Sequence, residues 1–153
     1  MKIATSRYWV LVADSGKARI LNVKRKPPEF GEVQVLVSAT QHQPSREIVS
    51  DASGRAFHVQ GPSSHVKQPR SDAHDKAEQQ FSLMLVQKLE KAAELGAFDQ
   101  LLIIADPKTL GRLRRQMSKS LASRISDELN LDLAGLPLNK LEPRIRAILG
   151  WSI

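Results

Sequence analysis

Residues 8–21 of the chain read YWVLVADSGKARIL, and this stretch decides the fold. Its apolar start predicts a buried strand from about Tyr8 to Ala13, and the Asp-Ser-Gly that follows predicts a tight turn. A return strand from about Ala18 to Val23 carries apolar residues on both faces, which is typical of a sheet covered on each side. The stretch therefore predicts a strand hairpin within a layered structure.

Strand and helix patterns follow in turn along the chain. A third strand is expected from Val33 to Ala39, after prolines at positions 27 and 28 interrupt the strand pattern. Apolar residues at three-and-four spacing then predict a long helix that starts at Ser71 or Asp72 and ends at Gly96.

The C-terminal half continues this alternation. A wholly apolar run from Leu101 to Ala105 predicts a central parallel strand, and Asp106 provides the cap of a second helix. An edge strand is expected around Ile125 to Leu133, and a last helix from about Leu138 to Leu149. The order β-β-β-α-β-α-β-α predicts an α/β protein with a single five-stranded mixed sheet and helices on both faces.

Length and composition indicate one folded domain over residues 1–153. Of these 153 residues 41% are apolar and 25% are charged, which is close to the average for globular proteins. Residues 40–71 depart from this pattern, since they are rich in Ser, Gln, Pro, Gly and His. They are predicted to form a long irregular loop, which is either functional or disordered.

The composition also excludes several classes of protein. Cysteine is absent, which excludes disulfides, thiolate metal sites and cysteine nucleophiles. The longest apolar run, Trp9 to Ala13, is far too short to span a membrane, and residues 1–5 contain no apolar signal region. Retention in the cytoplasm is therefore expected. The net charge of +7 favours a nucleic-acid partner only modestly.

Four segments, spread over nearly the whole chain, carry a resemblance to one bacterial family. They are Trp9–Arg19, Asp72–Phe81, Ala105–Arg114 and Leu131–Leu138. The chain resembles the host attachment proteins, also described as proteins required for attachment to host cells. That family is similar to the middle domain of archaeal and eukaryotic release factors and of the ribosome-rescue factor Pelota, which implies a ribonuclease H-like fold.

The release-factor resemblance bears on activity as well as fold. In those factors, the loop equivalent to residues 40–70 carries a Gly-Gly-Gln tripeptide that enters the peptidyl-transferase centre. This chain has no such tripeptide, and its nearest sequence is Val59-Gln60-Gly61-Pro62. Peptide release by that chemistry is therefore not expected.

Two aspartates come together if the resemblance holds. In a ribonuclease H-like sheet the first and fourth strands are neighbours, which would bring Asp14 and Asp106 to the same end of the sheet. Paired carboxylates can bind a shared Mg²⁺ and activate water, with Glu78 of the first long helix as a third ligand. The alternative interpretation is structural, since Asp14 suits a turn and Asp106 suits a helix cap.

The second helix carries a run of cations without acids. From residue 111 to residue 126 all charged residues are basic, namely Arg112, Arg114, Arg115, Lys119 and Arg124. The spacing of Arg112, Arg115 and Lys119 predicts one basic face opposite the buried leucines, which would bind phosphates without sequence preference. The alternative is an ordinary solvated outer face.

The long loop contributes further candidate residues. Its basic residues are Arg46, Arg55, Lys67 and Arg70, and they would suit an arm that grips a ligand or enters a ribosome. The histidines at positions 42, 58, 65 and 74 lie in the loop or just after it. Because their spacing matches no compact ligand motif, neither a metal site nor a cofactor is expected.

Together these features predict a non-enzymatic binding protein of the host attachment family. It would contact RNA or a ribosomal surface through the basic helix and the long loop. Two alternatives stay open: a nuclease that uses Asp14 and Asp106 with Mg²⁺, and an adhesion-related protein that acts through protein partners. The sequence leaves the oligomeric state open.

Overall fold

The computed structural model describes residues 7–25, 28–38 and 64–150, which contain one five-stranded mixed sheet. The strands are β1 (Tyr8–Ala13), β2 (Lys17–Arg25), β3 (Pro28–Val37), β4 (Gln100–Ala105) and β5 (Ile125–Asn130). Their spatial order is β3-β2-β1-β4-β5. The predicted α/β class and the predicted five-stranded mixed sheet are confirmed.

Strand β1 lies at the centre of the sheet, with an antiparallel and a parallel neighbour. Its last residue, Ala13, stands opposite Ala18 of β2 and beside Ala105 of β4. Both β1 and β4 are buried from their second residue to their last. Burial on both faces explains why these two strands are continuous apolar runs rather than alternating patterns.

Within the described ranges, four helices cover the sheet. They are α1 (Ser64–Glu94), α2 (Pro107–Gln116), α3 (Lys119–Ala122) and α4 (Leu138–Leu149). One face of the sheet packs against Leu85 of α1, Leu113 of α2 and Leu121 of α3, whereas the other packs against Leu141 and Ile145 of α4. Helices on both faces are therefore confirmed. None of these helices combines the length and the apolar character needed to cross a bilayer.

Helix α1 begins earlier than the sequence predicts. The predicted caps, Ser71 and Asp72, lie inside the helix, which starts at Ser64. Residues 64–71 of the predicted loop are thus helical, and residues 39–63 lie outside the described ranges. Residues that favour a cap position do not force a helix to begin there, so Ser71 and Asp72 can lie inside it. Pro69, near the helix start, removes a single backbone hydrogen bond and does not end the helix.

The end of α1 agrees with the prediction. Gly96 has a φ of +74°, in the left-handed region that favours glycine. The N–H of the next residue, Ala97, bonds to the carbonyl of Ala92 at 2.9 Å, and the N–H of Gly96 bonds to the carbonyl of Ala93 at 3.0 Å. These two bonds satisfy carbonyls at the helix end and turn the chain towards β4.

Two further boundaries differ from the prediction, and one helix is additional to it. Strand β3 begins at Pro28 rather than Val33, because proline is tolerated at the first position of an edge strand. Strand β5 ends at Asn130, before the predicted Leu133. The short helix α3 was not predicted, and it begins because the Ser118 hydroxyl accepts a hydrogen bond from the N–H of Leu121 at 3.0 Å.

Candidate functional site

The carboxyl ends of β1 and β4 bring two aspartates to the same edge of the sheet. Ala13 and Ala105 are register partners in the parallel pair, and Asp14 and Asp106 follow them directly. The predicted adjacency of the first and fourth strands is therefore confirmed. In α/β sheets, ligands bind at the carboxyl ends of parallel strands, which is where both carboxylates lie.

Asp14 is used by the turn between β1 and β2. Its Oδ1 accepts hydrogen bonds from the N–H of Gly16 at 2.9 Å and from the N–H of Lys17 at 2.7 Å. The Asp14 N–H in turn bonds to the Lys17 carbonyl at 2.8 Å. The carboxylate thus holds the tight turn, which is the structural role expected of an Asp-Ser-Gly sequence.

Asp106 is the cap of helix α2. Its Oδ2 accepts a hydrogen bond from the N–H of Thr109 at 3.2 Å, and Pro107 occupies the first turn. Its other oxygen, Oδ1, is buried and has no hydrogen-bond partner among the described residues, and the same is true of the Thr109 hydroxyl. The head of α2 therefore holds two buried polar atoms that no described group satisfies.

Glu78 is held by cations rather than directed at the two aspartates. Its Oε1 lies 2.9 Å from Nη2 of Arg112 and 3.5 Å from Nζ of Lys108. In the part of the chain that the structure describes, no group of three His, Asp or Glu side chains is arranged to hold a metal. Asp14 is bonded to two amides and Glu78 is paired with cations, so both residues would have to exchange these partners to bind Mg²⁺ together with Asp106.

Arg112 does not belong to a basic surface. Its side chain is 6% exposed and forms ion pairs with Glu78 at 2.9 Å and with Asp75 of α1 at 3.6 Å. The predicted basic face of Arg112, Arg115 and Lys119 is therefore wrong in its geometry. Helix α2 ends at Gln116 and the next residue is extended, so Lys119 falls in a separate helix, and Arg112 is turned towards α1.

The other four predicted cations lie between the second half of α2 and the start of β5. Arg115 and Lys119 are exposed and have no acidic partner among the described residues. Arg114 is also exposed, and its Nη2 lies 2.6 Å from Oε1 of Glu128. Arg124 is half-buried and donates from Nη1 to the carbonyl of Phe98 at 3.2 Å. We call Arg114, Arg115, Lys119 and Arg124, of which the first three are exposed, the exposed cation group.

The candidate residues of the predicted loop are described only in part. Arg46 and Arg55, with two of the histidines, lie outside the described residues. Lys67 and Arg70 belong to the N-terminal part of α1 rather than to a loop. A basic loop made by all four residues is therefore not the arrangement found.

Sequence reasoning missed a polar seam between α1 and α2. Besides the Arg112 ion pairs, the Gln116 side chain donates to the carbonyl of Gln79 at 3.4 Å. At the far end, the Glu90 carboxylate accepts hydrogen bonds from the N–H and the hydroxyl of Ser118, both at 2.8 Å. The signal was available, because Thr109, Arg112 and Gln116 recur at three-and-four spacing and so share one flank of a helix. We call the contacts of Arg112 and Gln116 with α1 the α1–α2 seam.

The chain matches a family model and shows distant similarity to solved structures. The sequence model of a family described as "Protein required for attachment to host cells" matches residues 9–145. No curated protein matches the chain significantly. Among solved structures, a chain of a "PilM-PilN type IV pilus biogenesis complex" is 12% identical, with a TM-score of 0.40, over 97% of this chain and 45% of that one. This chain thus spans less than half of that structure, and a likeness at this level carries no functional information.

Proposed function

This chain belongs to the family of proteins required for attachment to host cells, and we propose that it is a non-enzymatic protein that binds RNA. The contact is made by the exposed cation group, and the RNA of a ribosomal surface is the partner that the release-factor resemblance favours. The ribonuclease H-like relationship and an action in the cytoplasm belong to the same proposal.

The observation that carries the proposal is the exposure of Arg115 and Lys119 without a described acidic partner. Both side chains are exposed, and no acidic group among the described residues neutralises them. Cations of this kind bind phosphates and release the counterions condensed on the nucleic acid. The net charge of +7 adds a long-range attraction for a polyanion.

The same geometry counts against catalysis. A metal nuclease needs carboxylates that are free to bind the metal, whereas Asp14 holds a turn and Glu78 is paired with Arg112. Arg115 and Lys119, in contrast, are exposed and available to a ligand without rearrangement of the fold. Binding is therefore the function that the described residues support best.

A salt series with a structured RNA tests the proposal. We expect the logarithm of the association constant for RNA to fall linearly with the logarithm of the salt concentration. The slope should be roughly −0.7 to −0.9 for each phosphate contact. The Arg115→Ala/Lys119→Ala variant should reduce the slope by about 1.5. The matched control is Lys140→Ala/Arg144→Ala, which removes two exposed cations from α4 on the opposite face of the sheet. The proposal would be refuted if the two variants lost RNA affinity equally, or if RNA binding did not depend on salt.

One observation favours a second function, the metal-dependent nuclease. Asp14 and Asp106 follow partner residues of neighbouring strands, and Oδ1 of Asp106 is buried without a described partner. Cleavage of RNA or DNA should then need Mg²⁺ or Mn²⁺ and should disappear in Asp14→Asn and Asp106→Asn proteins. Cleavage that survives both substitutions excludes this function.

The family description itself points to a third function, an adhesion-related protein that acts through protein partners. It predicts that deletion of the protein abolishes attachment to host cells, and that the purified protein shows no salt-dependent binding of RNA. Failure of the RNA salt series together with such a phenotype would favour it.

A further inference from the structure

Strand β3 forms one edge of the sheet and presents an apolar surface there. It runs for ten residues, and in the described part of the chain its outer edge has no partner strand. Val33, Val35 and Val37 are 44%, 42% and 40% exposed, although the intervening Leu36 is buried. Solvent-exposed valines at every second position are unusual on a strand whose backbone is also open.

The same valines carry the open backbone groups of the edge. The N–H of Ser38 bonds to the carbonyl of Gly16 at 2.8 Å, so the backbone groups of Ser38 point towards β2. In an antiparallel pair, the backbone groups of every second residue bond to the partner strand. The N–H and C=O groups of Leu36 and Gln34 therefore also point towards β2. The N–H and C=O groups of Val35 and Val37 therefore point to the free edge.

The opposite edge of the sheet, formed by β5, is protected against pairing with another strand, unlike β3. Strand β5 has only six residues, and two of them, Asp127 and Glu128, are acidic. Glu128 forms an ion pair with Arg114. Residues 33–37 of β3 contain no charge and no proline, and the nearby Glu32 is paired with Arg19 of β2. Short length and charge are the usual devices against edge pairing, and the second half of β3 has neither.

We propose that β3 pairs antiparallel with β3 of a second copy of this chain, about a two-fold axis at Val35. In this register Val35 stands opposite Val35 and Val33 opposite Val37, so the exposed valines cover one another and no like charges meet. Val35 also has its backbone groups directed outward, as a hydrogen-bonded pair on the axis requires. A self-complementary surface of this kind is what a two-fold interface needs.

The bulge in the sheet sets the length of the pairing. The register of β2 with β3 shifts between Ile20 and Leu21, which leaves Val33 as the extra residue of β3. A bulge increases the local twist and directs the preceding part of the strand away. The paired segment is therefore residues 33–37, and the first half of β3 stays outside it.

The pairing is independent of the proposed RNA contact. The exposed cation group lies beside β5, and β3 is at the other edge of the sheet. The interface consists of apolar side chains and backbone groups, so dimerisation should respond weakly to salt, unlike RNA binding. Either proposal can fail while the other holds.

Sedimentation over a protein concentration series tests the pairing. We expect a monomer–dimer equilibrium for the natural sequence, and a dissociation constant raised on the order of tenfold or more by Val35→Lys, which places two ammonium groups on the axis. Leu83→Lys is the matched control, because Leu83 is equally exposed at 42% but lies on α1. A protein that stays monomeric, or a dimer that both variants weaken equally, would overturn the proposal.

A cysteine variant tests the register directly, since the natural chain contains no cysteine. Residues opposite each other in a hydrogen-bonded antiparallel pair have Cα atoms about 5.5 Å apart, within the range that a disulfide spans. Val35→Cys should therefore give a covalent dimer under mild oxidation, whereas Leu83→Cys should not. No enrichment of the dimer for Val35→Cys over Leu83→Cys would contradict the two-fold axis at Val35.

Discussion

Arg112 and Arg114 stand two positions apart on helix α2, yet they lie on different flanks of it. The Arg112 side chain is 6% exposed and pairs with Glu78 of α1, whereas the Arg114 side chain is 60% exposed and pairs with Glu128 of β5. Two positions rotate a residue by about 200° around the helix axis. The flank, rather than the residue type, therefore decides whether an arginine joins two helices or faces solvent.

The two ion pairs should differ in energy as they differ in burial. An exposed pair gains little, because water screens the attraction and both side chains lose freedom. A buried cation has already lost its hydration, so its removal leaves the carboxylate partner without compensation. The α1–α2 seam should therefore contribute to stability, and the exposed flank of α2 should be free to serve binding.

The largest effect is expected at Arg112. Arg112→Ala should lower the free energy of unfolding by about 2–3 kcal/mol, because it removes the nearest cation from Glu78 and leaves a gap between two packed helices. The value is set below that of a fully buried pair since the Glu78 side chain is 24% exposed and Lys108 remains nearby. Urea denaturation followed by circular dichroism measures it.

Arg115 provides the matched control for this prediction. It lies on the same helix, is exposed and has no described acidic partner. Arg115→Ala should change the free energy of unfolding by no more than about 0.5 kcal/mol. If the two variants lose equal stability, the distinction between the two flanks is wrong.

A smaller effect is expected at the head of the buried flank. Asp106→Ala should cost about 1 kcal/mol, because it removes the oxygen that accepts the hydrogen bond of Thr109. Asp106→Asn should cost only a few tenths of that, since an amide oxygen can replace the carboxylate as a cap. Equal losses in the two variants would show that the negative charge at the helix N-terminus, rather than the accepted hydrogen bond, stabilises the helix.

The exposed pair of α2 should give a smaller effect still. Arg114→Ala should lower the free energy of unfolding by at most about 0.5 kcal/mol at low salt, and the difference should vanish near 1 M salt. A double-mutant cycle with Glu128→Gln isolates the interaction. A coupling energy above about 1.5 kcal/mol that persists at high salt would remove the contrast with Arg112.

Much of the sheet could be predicted from the sequence, because its signals are local and strong. The apolar runs of β1 and β4, the Asp-Ser-Gly turn and the Asp-Pro helix start are each recognisable within a few residues. The order of these elements then restricts how they can connect, and it leads to a mixed sheet with helices on both faces. The parallel neighbours β1 and β4, and so the adjacent Asp14 and Asp106, followed from that order through the family resemblance.

The candidate site could be predicted less well, because it depends on how helices pack against each other. The direction of Arg112 is set by α1, which is distant in the sequence, and the end of α2 at Gln116 separates Lys119 from the predicted face. Helical spacing identifies residues that share a flank but not the neighbour that this flank meets. The start of α1 was missed for a related reason, since good capping residues also occur inside helices.

The least effect is expected where an exposed pair can be titrated, at Arg7 and Asp99. The Arg7 backbone N–H donates to Asp99 at 2.9 Å and, with the charges of Arg7 and Arg124, lowers the pKa of this carboxyl below its ordinary value despite partial desolvation. Because the pKa is lower in the folded than in the unfolded protein, the carboxylate stabilises the fold above about pH 4, and this contribution is lost as the pH falls through the folded value. Asp99→Asn should therefore reduce stability at pH 6 and have a smaller effect at pH 3, as measured by urea denaturation at both values. A loss that is the same at both pH values would show that the hydrogen bond, rather than the charge, connects Asp99 to Arg7.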